Sequence, residues 1–220
     1  STKSYKNIMS ENQISILRPF GPSIAKVKLP NELIDSLNDY IDKTILDEEK
    51  IKQLDHGDKL EGNVKQEFKL EDEFLKSSNL LEFLGKSTAN WLKHSDNTTI
   101  TSFNVLSSWI VRQFKNEYNP LHFHGGHISG VGYLKLPKDF GNYYQTSKMN
   151  NTNGKIALVH GSKMFNSKSI LTIKPEVGDF YIFPHYLMHT VYPFASNEEE
   201  RRSISFNALI DEKIFNVYGQ

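Results

Sequence analysis

The chain has 220 residues and balances 26 Lys plus Arg against 26 Asp plus Glu, so no net field favours a nucleic acid or an anionic membrane surface as partner. It has no cysteine, which removes disulfides, thiolate ligands and a Cys nucleophile, leaves the cytoplasm as the natural compartment, and restricts metal chemistry to His and carboxylates. The N-terminal STKSYKNIMSENQ lacks the apolar core of a signal peptide, and no apolar run approaches the roughly 20 residues that span a bilayer, so a soluble single domain over 1–220 is expected.

In chain order, QISILRPFGPSIAKVKLP alternates weakly and is broken by Pro19, Gly21 and Pro22, which predicts a strand or two before Pro30. NELIDSLNDYIDKTI follows with Leu33, Ile34, Leu37, Tyr40 and Ile41 at helical spacing behind Asn31 as the expected N-cap. LDHGDKLEGNVKQEF is charged and glycine-punctuated, a loop. SSNLLEFLGKSTANWLKHS then places Leu80, Leu81, Leu84 and Trp91 on one helical face, capped by Ser77 or Ser78. From Thr98 onward the texture changes to short runs of β-branched and aromatic residues between Gly, Pro and Asn, and this last part of the chain reads as mainly β. The polar stretch around Asp139 to Asn153 is a long connection of the kind that often serves a site.

Five of the eight histidines fall in two short segments. In NPLHFHGGHISGVGYL, His122 and His124 are two apart, and on a strand alternate side chains share a face, so the pair makes a bidentate metal clamp. In GDFYIFPHYLMH, a strand from Phe180 to Phe183 leads to His185 and His189, one of which is available as a third ligand. Three neutral imidazoles suit Zn, Fe, Cu or Mn and leave positions open for substrate and oxygen. His127 reads as a supporting or loop residue, and His56, His94 and His160 as isolated histidines without function. Twelve residues beyond His189, RRSISFNALI alternates as a strand, with Arg201 and Ser203 on one face. A guanidinium and a hydroxyl pointing the same way form a carboxylate receptor, and its place beside the histidines suits a dicarboxylate bound to the metal at one end and to the arginine at the other.

NPLHFHGGHISGVGYLKLP, GDFYIFPHYLMHTVYPF and ERRSISFN together resemble the successive signatures of the iron(II)- and 2-oxoglutarate-dependent dioxygenases. The resemblance is closest to an oxygenase group of marine bacteria and their phages that is itself similar to prolyl hydroxylases. It covers roughly Trp109 to Asn207 strongly and the N-terminal helices only in layout.

The resemblance implies a mainly β fold with N-terminal helices, a double-stranded β-helix (jelly roll, cupin-like) with helices packed on one sheet. Residues 1–97 would be a strand and helical support region and 98–212 the jelly-roll core. It implies Fe(II) held by His122, His124 and His189, with His124 standing where the superfamily usually has a carboxylate. The tail of the cosubstrate 2-oxoglutarate would be gripped by Arg201, Ser203 and Tyr133, with no further catalytic residue beyond the metal centre. The implied reaction consumes O2, releases succinate and CO2, and hydroxylates an unidentified prime substrate, a small molecule or a peptidyl residue. No membrane partner is expected and there is no clear nucleic-acid signal, and the enzyme would work in the cytoplasm, that of the host for a phage-borne copy. Trp109, Tyr143 and Tyr144 are candidates for a substrate rim.

Two other readings stay open on the residues alone. GDFYIFPHYLMH reproduces the G-x5-P-x4-H spacing of a second cupin motif, which would make a metalloenzyme that uses no 2-oxoglutarate. Alternatively, a metal-free jelly-roll binding protein would carry its histidines incidentally.

Overall fold

The computed structural model describes residues 21–142, 150–196 and 199–216. The alternating runs beyond Thr98 become β3 (Phe103–Gln113), β4 (Asn119–His122), β5 (Ile128–Lys135), β6 (Ile156–Val159), β7 (Ile170–Ile173), β8 (Asp179–Pro184), β9 (Met188–Val191) and β10 (Arg201–Ile210). Two earlier strands, β1 (Ala25–Lys28) and β2 (Gln66–Lys69), join them. The helices are α1 (Asn31–Thr44), α2 (Glu48–Leu54), α3 (Asp72–Ser77), α4 (Leu80–Asp96) and α5 (Glu212–Phe215). None is long and apolar enough to cross a membrane, among the described residues.

The strands form two antiparallel sheets, one of six strands in the order β1-β8-β5-β10-β3-β2 and one of four in the order β4-β9-β6-β7. This is the two-sheet arrangement of a jelly roll, with helices on one face. Both edge strands of the larger sheet, β1 and β2, come from the region ahead of residue 98.

Period-2 patterning divides the core into two. Outward-facing Ile128, Leu134, Phe180, Ile182, Ile204, Phe206 and Ala208 pack with Leu33, Leu37 and Ile41 of α1 and Leu80, Leu84 and Trp91 of α4. Inward-facing Val131, Tyr133, Tyr181 and Phe183 meet Ile156, Leu158 and Val191 from the smaller sheet. The glycine spacing of β5 belongs to the helix side of this division. A Cβ on Gly130 would lie 2.6 Å from Phe206 and 2.7 Å from the Tyr181 carbonyl, so the absent side chain is the space those rings use.

The two predicted helices form, with local differences. Asn31 is the first residue of α1; Pro30 occupies the N-cap and no side chain caps the helix, because a fixed proline φ already sets the chain into the first turn. In α4 the N-cap is Asn79, in a left-handed conformation, φ 65°, and Ser78 Oγ accepts from the Leu80 N–H at 3.4 Å. The expected loop over 54–68 contains a turn of 3-10 helix at Gly57–Lys59 and ends in β2. There the alternation Glu67, Phe68, Lys69, Leu70 buries Phe68 and Leu70 completely on the helix side. The charge of the segment hid this strand, because its polar face is turned inward to a cavity instead of outward to water. Residues 13–20 of the first expected strand region, and Tyr143 and Tyr144, lie outside the described residues.

Candidate metal centre and anion receptor

The two sheets enclose a cavity of about 300 Å³ whose walls include His122, His124, His189, Trp109, Arg201, Ser203 and Glu67. One ring nitrogen of each of His122, His124 and His189 lies within 4.8 Å of those of the other two. His122 ends β4 and is the register partner of His189 on β9. His124 does not continue that strand, as the His-x-His spacing suggested. It lies in the segment after β4, where its N–H donates to the His185 carbonyl (3.1 Å) and its own carbonyl is bonded by His185 Nδ1 (2.8 Å). The clamp therefore has two teeth from a ladder and one from a pinned turn.

The hydrogen bonds behind the rings fix which nitrogens are free. His122 Nδ1 lies 2.6 Å from the Pro120 carbonyl and His189 Nδ1 2.9 Å from the Leu187 carbonyl. A carbonyl only accepts, so each Nδ1 carries the proton and each Nε2 presents a lone pair to the cavity. His124 Nε2 is 3.0 Å from His189 Nε2. Nitrogens bound at about 2.1 Å to one ion at right angles are about 3 Å apart, so this spacing would fit one ion shared by the two rings. A single proton on His124 satisfies only one of the two lone pairs that face it. Burial, followed by the neighbouring imidazoles, lowers the His124 pKa to about 3, and burial lowers that of His189 to about 4. Both rings are held neutral, the state a ligand needs.

The remaining histidines separate from this group. His127 is buried 3.9 Å from the Phe215 ring, stacked on it, and its Nδ1 accepts from the Ile210 N–H at 3.1 Å, so it ties β10 to α5. His185 supports the His124 backbone. His94 is bonded to the Asn90 carbonyl in α4 and His160 is exposed. His56, read from the sequence as isolated, instead lines the cavity with its ring 6.2 Å from Trp109.

Arg201 and Ser203 do share the inner face of β10, and Tyr133 of β5 is the register partner of Ser203. β10 belongs to the larger sheet and β9 to the smaller, so the arginine and His189 face one space from opposite walls. Arg201 is 1% exposed. Its Nε donates to the Gly154 carbonyl at 3.0 Å and its guanidinium lies 5.1 Å from the Tyr133 ring centre, but among the described residues Nη2 has no hydrogen-bond partner and neither has Tyr133 Oη. Burial lowers the Arg201 pKa and raises that of Tyr133 to about 12. The outer face of the same strand is the opposite case. Arg202 donates to Glu200 (2.8 Å), Asp42 (2.7 Å) and Asn38 (2.9 Å), and is fully paired. Sequence reasoning missed Glu67, which lines the cavity from β2 and is 4% exposed, with Oε1 unpartnered. Its only signal was the alternation of the Glu67-Phe68-Lys69-Leu70 run.

Comparison with known proteins bears on the fold and on residues 107–207. Residues 107–207 match the sequence model of the family described as "Putative 2OG-Fe(II) oxygenase". No curated protein sequence matches the chain. Among solved structures, the viral collagen prolyl hydroxylase of Paramecium bursaria Chlorella virus-1, in complex with 2-oxoglutarate, is 16% identical, with 84% of this chain and 94% of that one covered at a TM-score of 0.53. A Pseudomonas putida prolyl-4-hydroxylase is 13% identical over 84% and 91% of the two chains, TM-score 0.54. HygX of Streptomyces hygroscopicus, solved with nickel and 2-oxoglutarate, is 11% identical over 85% and 81%, TM-score 0.52. At these identities the structural likeness is one of fold.

Proposed function

We propose, on the match of residues 107–207 to the 2OG-Fe(II) oxygenase family model, that this enzyme holds Fe(II) on His122, His124 and His189 and binds 2-oxoglutarate with its distal carboxylate on Arg201, Ser203 and Tyr133. The observation that carries the proposal is the buried, uncompensated guanidinium. Taking a charge out of water costs several kcal/mol unless an opposite charge meets it. Arg202, next in sequence, has two carboxylates, whereas among the described residues Arg201 has a carbonyl on Nε, the Tyr133 ring beside its guanidinium and no carboxylate, and its Nη2 is orphaned. A carboxylate on Nη2, the Tyr133 hydroxyl and the Ser203 hydroxyl would satisfy all three groups at once.

Bound iron with 2-oxoglutarate would supply the oxidation: one oxygen atom of O2 would enter the succinate that forms as CO2 leaves, and the other would be placed on a C–H bond of the prime substrate. The chain's own residues do the rest. His122 and His189 are oriented by the Pro120 and Leu187 carbonyls. Arg201 and Tyr133 fix the cosubstrate tail, and Trp109, with its ring 5.4 Å from His124, walls off water beside the centre. Three neutral imidazoles leave a bound divalent ion with both its charges, where the usual carboxylate would cancel one. The 2-oxoglutarate carboxylate and the ion therefore attract each other more strongly here. A cupin reading without 2-oxoglutarate gives Arg201 nothing to bind.

The deciding experiment is anaerobic calorimetry of 2-oxoglutarate on the Fe(II)-loaded protein and on Arg201→Ala, followed by succinate release in air. Micromolar binding by the wild type, loss of at least a hundredfold in the variant and succinate formation are expected. A wild type that takes up iron but neither binds 2-oxoglutarate nor makes succinate would refute the assignment.

A further inference from the structure

The cavity contains a second buried ionisable group, at the far end from the proposed cosubstrate receptor. In register across four strands of the larger sheet lie Tyr133, Ser203, Val111 and Glu67: Tyr133 pairs with Ser203, Ser203 with Val111 and Val111 with Glu67. Paired residues of neighbouring strands point to the same face about 4.8 Å apart. Glu67 therefore faces the same space as the anion receptor, but about 10 Å from Ser203, at the opposite end of the row.

Its surroundings are rich in acceptors. A Cβ on Gly62 would lie 2.5 Å from Glu67 Oε1 and 3.1 Å from Asn119 Oδ1, so the backbone at Gly62 closes over the carboxylate. That cover is pinned to the chain before β4 by the Asn63 N–H on the Tyr118 carbonyl (2.8 Å) and by the Lys65 N–H on Glu117 (3.0 Å). Among the described residues Glu67 Oε1 has no hydrogen-bond partner. The other charged groups about it are the carboxylates of Asp55 and Glu117, with His56 and Lys59 in the cavity wall. His56 is held toward its neutral form by burial and by Lys59 and Lys69. Lys59 is exposed.

We propose that Glu67 is a specificity-determining residue that receives a cationic group, an ammonium or guanidinium, of the prime substrate. This rests on the oxygenase reading and adds the chemical class of the substrate. The two orphaned charges of one cavity then have separate occupants, an anion for Arg201 and a cation for Glu67. A cation restores what burial, then Asp55 and Glu117, take from the carboxylate, whose pKa they raise to about 7. A neutral substrate would leave a desolvated acid among acceptors, with nothing to donate to it.

Matched probes test this on the full chain loaded with redox-inert Zn(II), with and without 2-oxoglutarate: N-acetyl-L-arginine amide against N-acetyl-L-citrulline amide, and N-acetyl-L-lysine amide against N-acetyl-L-norleucine amide, so that the neutral member of each pair carries no ammonium. Binding is read by ligand-observed NMR at pH 8. At least one cation is expected to bind about tenfold or more tightly than its neutral counterpart, as for a charge-assisted hydrogen bond. In the near-isosteric Glu67→Gln, the difference should shrink to within about twofold. Equal or weaker binding of both cations in the wild type, no binding by any probe, or a preference that survives Glu67→Gln would each overturn the inference. Because the probes are also titrated without 2-oxoglutarate, a protein that fails to bind the cosubstrate refutes the oxygenase reading separately.

Discussion

His122 and His189 are register partners in the β4–β9 ladder, with ring centres 4.3 Å apart and both Nδ1 atoms hydrogen-bonded to main-chain carbonyls. Two imidazoles so locked have their ordering cost met by the backbone before any ion arrives, so metal binding should stabilise the fold strongly. Fe(II) or Zn(II) at about a hundred times its dissociation constant contributes about 2.7 kcal/mol, which for a chain of this size raises Tm by about 5–10 °C. Differential scanning calorimetry of the wild type should show that rise, and His189→Ala should abolish it.

The His124 tooth depends on His185, which grips its backbone from both sides. His185→Ala is expected to weaken metal binding by about tenfold or more, as removal of a supporting hydrogen bond around a ligand usually does. His127→Ala should leave metal affinity within about twofold, because that ring stacks on Phe215 and bonds Ile210 instead. Equal losses in the two variants, measured by competition with a chelator, would contradict this division of roles.

These contrasts explain how far the sequence could be read. Alternation placed Arg201 and Ser203 on one face, because a strand fixes side-chain direction by parity alone. The same parity rule was wrong in detail for His122 and His124, since the strand ends at His122 and the second ring is aimed by a turn that no periodicity encodes. That His189, and not His185, is the third of the group follows from the register of two strands some 67 residues apart in sequence, a tertiary fact. Glu67 was hidden for another reason. Its strand borders an interior that is polar, so inside and outside could not be told apart by hydropathy.

Tyr133 offers a gentler probe of the proposed anion receptor than Arg201. Its ring is fully buried, but its hydroxyl lacks a hydrogen-bond partner among the described residues. Tyr133→Phe therefore removes one donor and keeps the packing, and it relieves an unpaired polar group in the ligand-free protein. The expected result is unchanged or slightly higher Tm without ligand, with 2-oxoglutarate affinity lower by about tenfold. An unchanged affinity by calorimetry would remove Tyr133 from the receptor.

Gly130 tests the packing that sets β5 against the helices. Its missing Cβ would meet Phe206 at 2.6 Å, the Tyr181 carbonyl at 2.7 Å and Phe180 at 2.9 Å. A backbone carbonyl cannot swing aside as a side-chain end can, so Gly130→Ala should cost about 1–3 kcal/mol, visible as a lower urea midpoint at unchanged m-value.

Glu67 gives the fold a distinctive pH dependence. An acid whose pKa rises from 4.5 unfolded to about 7 folded makes the unfolded chain release its proton first. Stability from this group is thus lost as pH climbs from about 4.5 to 7, the reverse of a salt-bridged carboxylate. The full shift corresponds to about 3 kcal/mol, of which Glu67→Gln recovers only part, since an amide buried among acceptors still has a desolvation cost. In the metal-free protein the variant should be about 1–3 kcal/mol more stable than the wild type at pH 8 and equal to it at pH 4. Urea titrations at the two values measure the difference. A variant less stable than the wild type at pH 8 would mean that the carboxylate already has a partner.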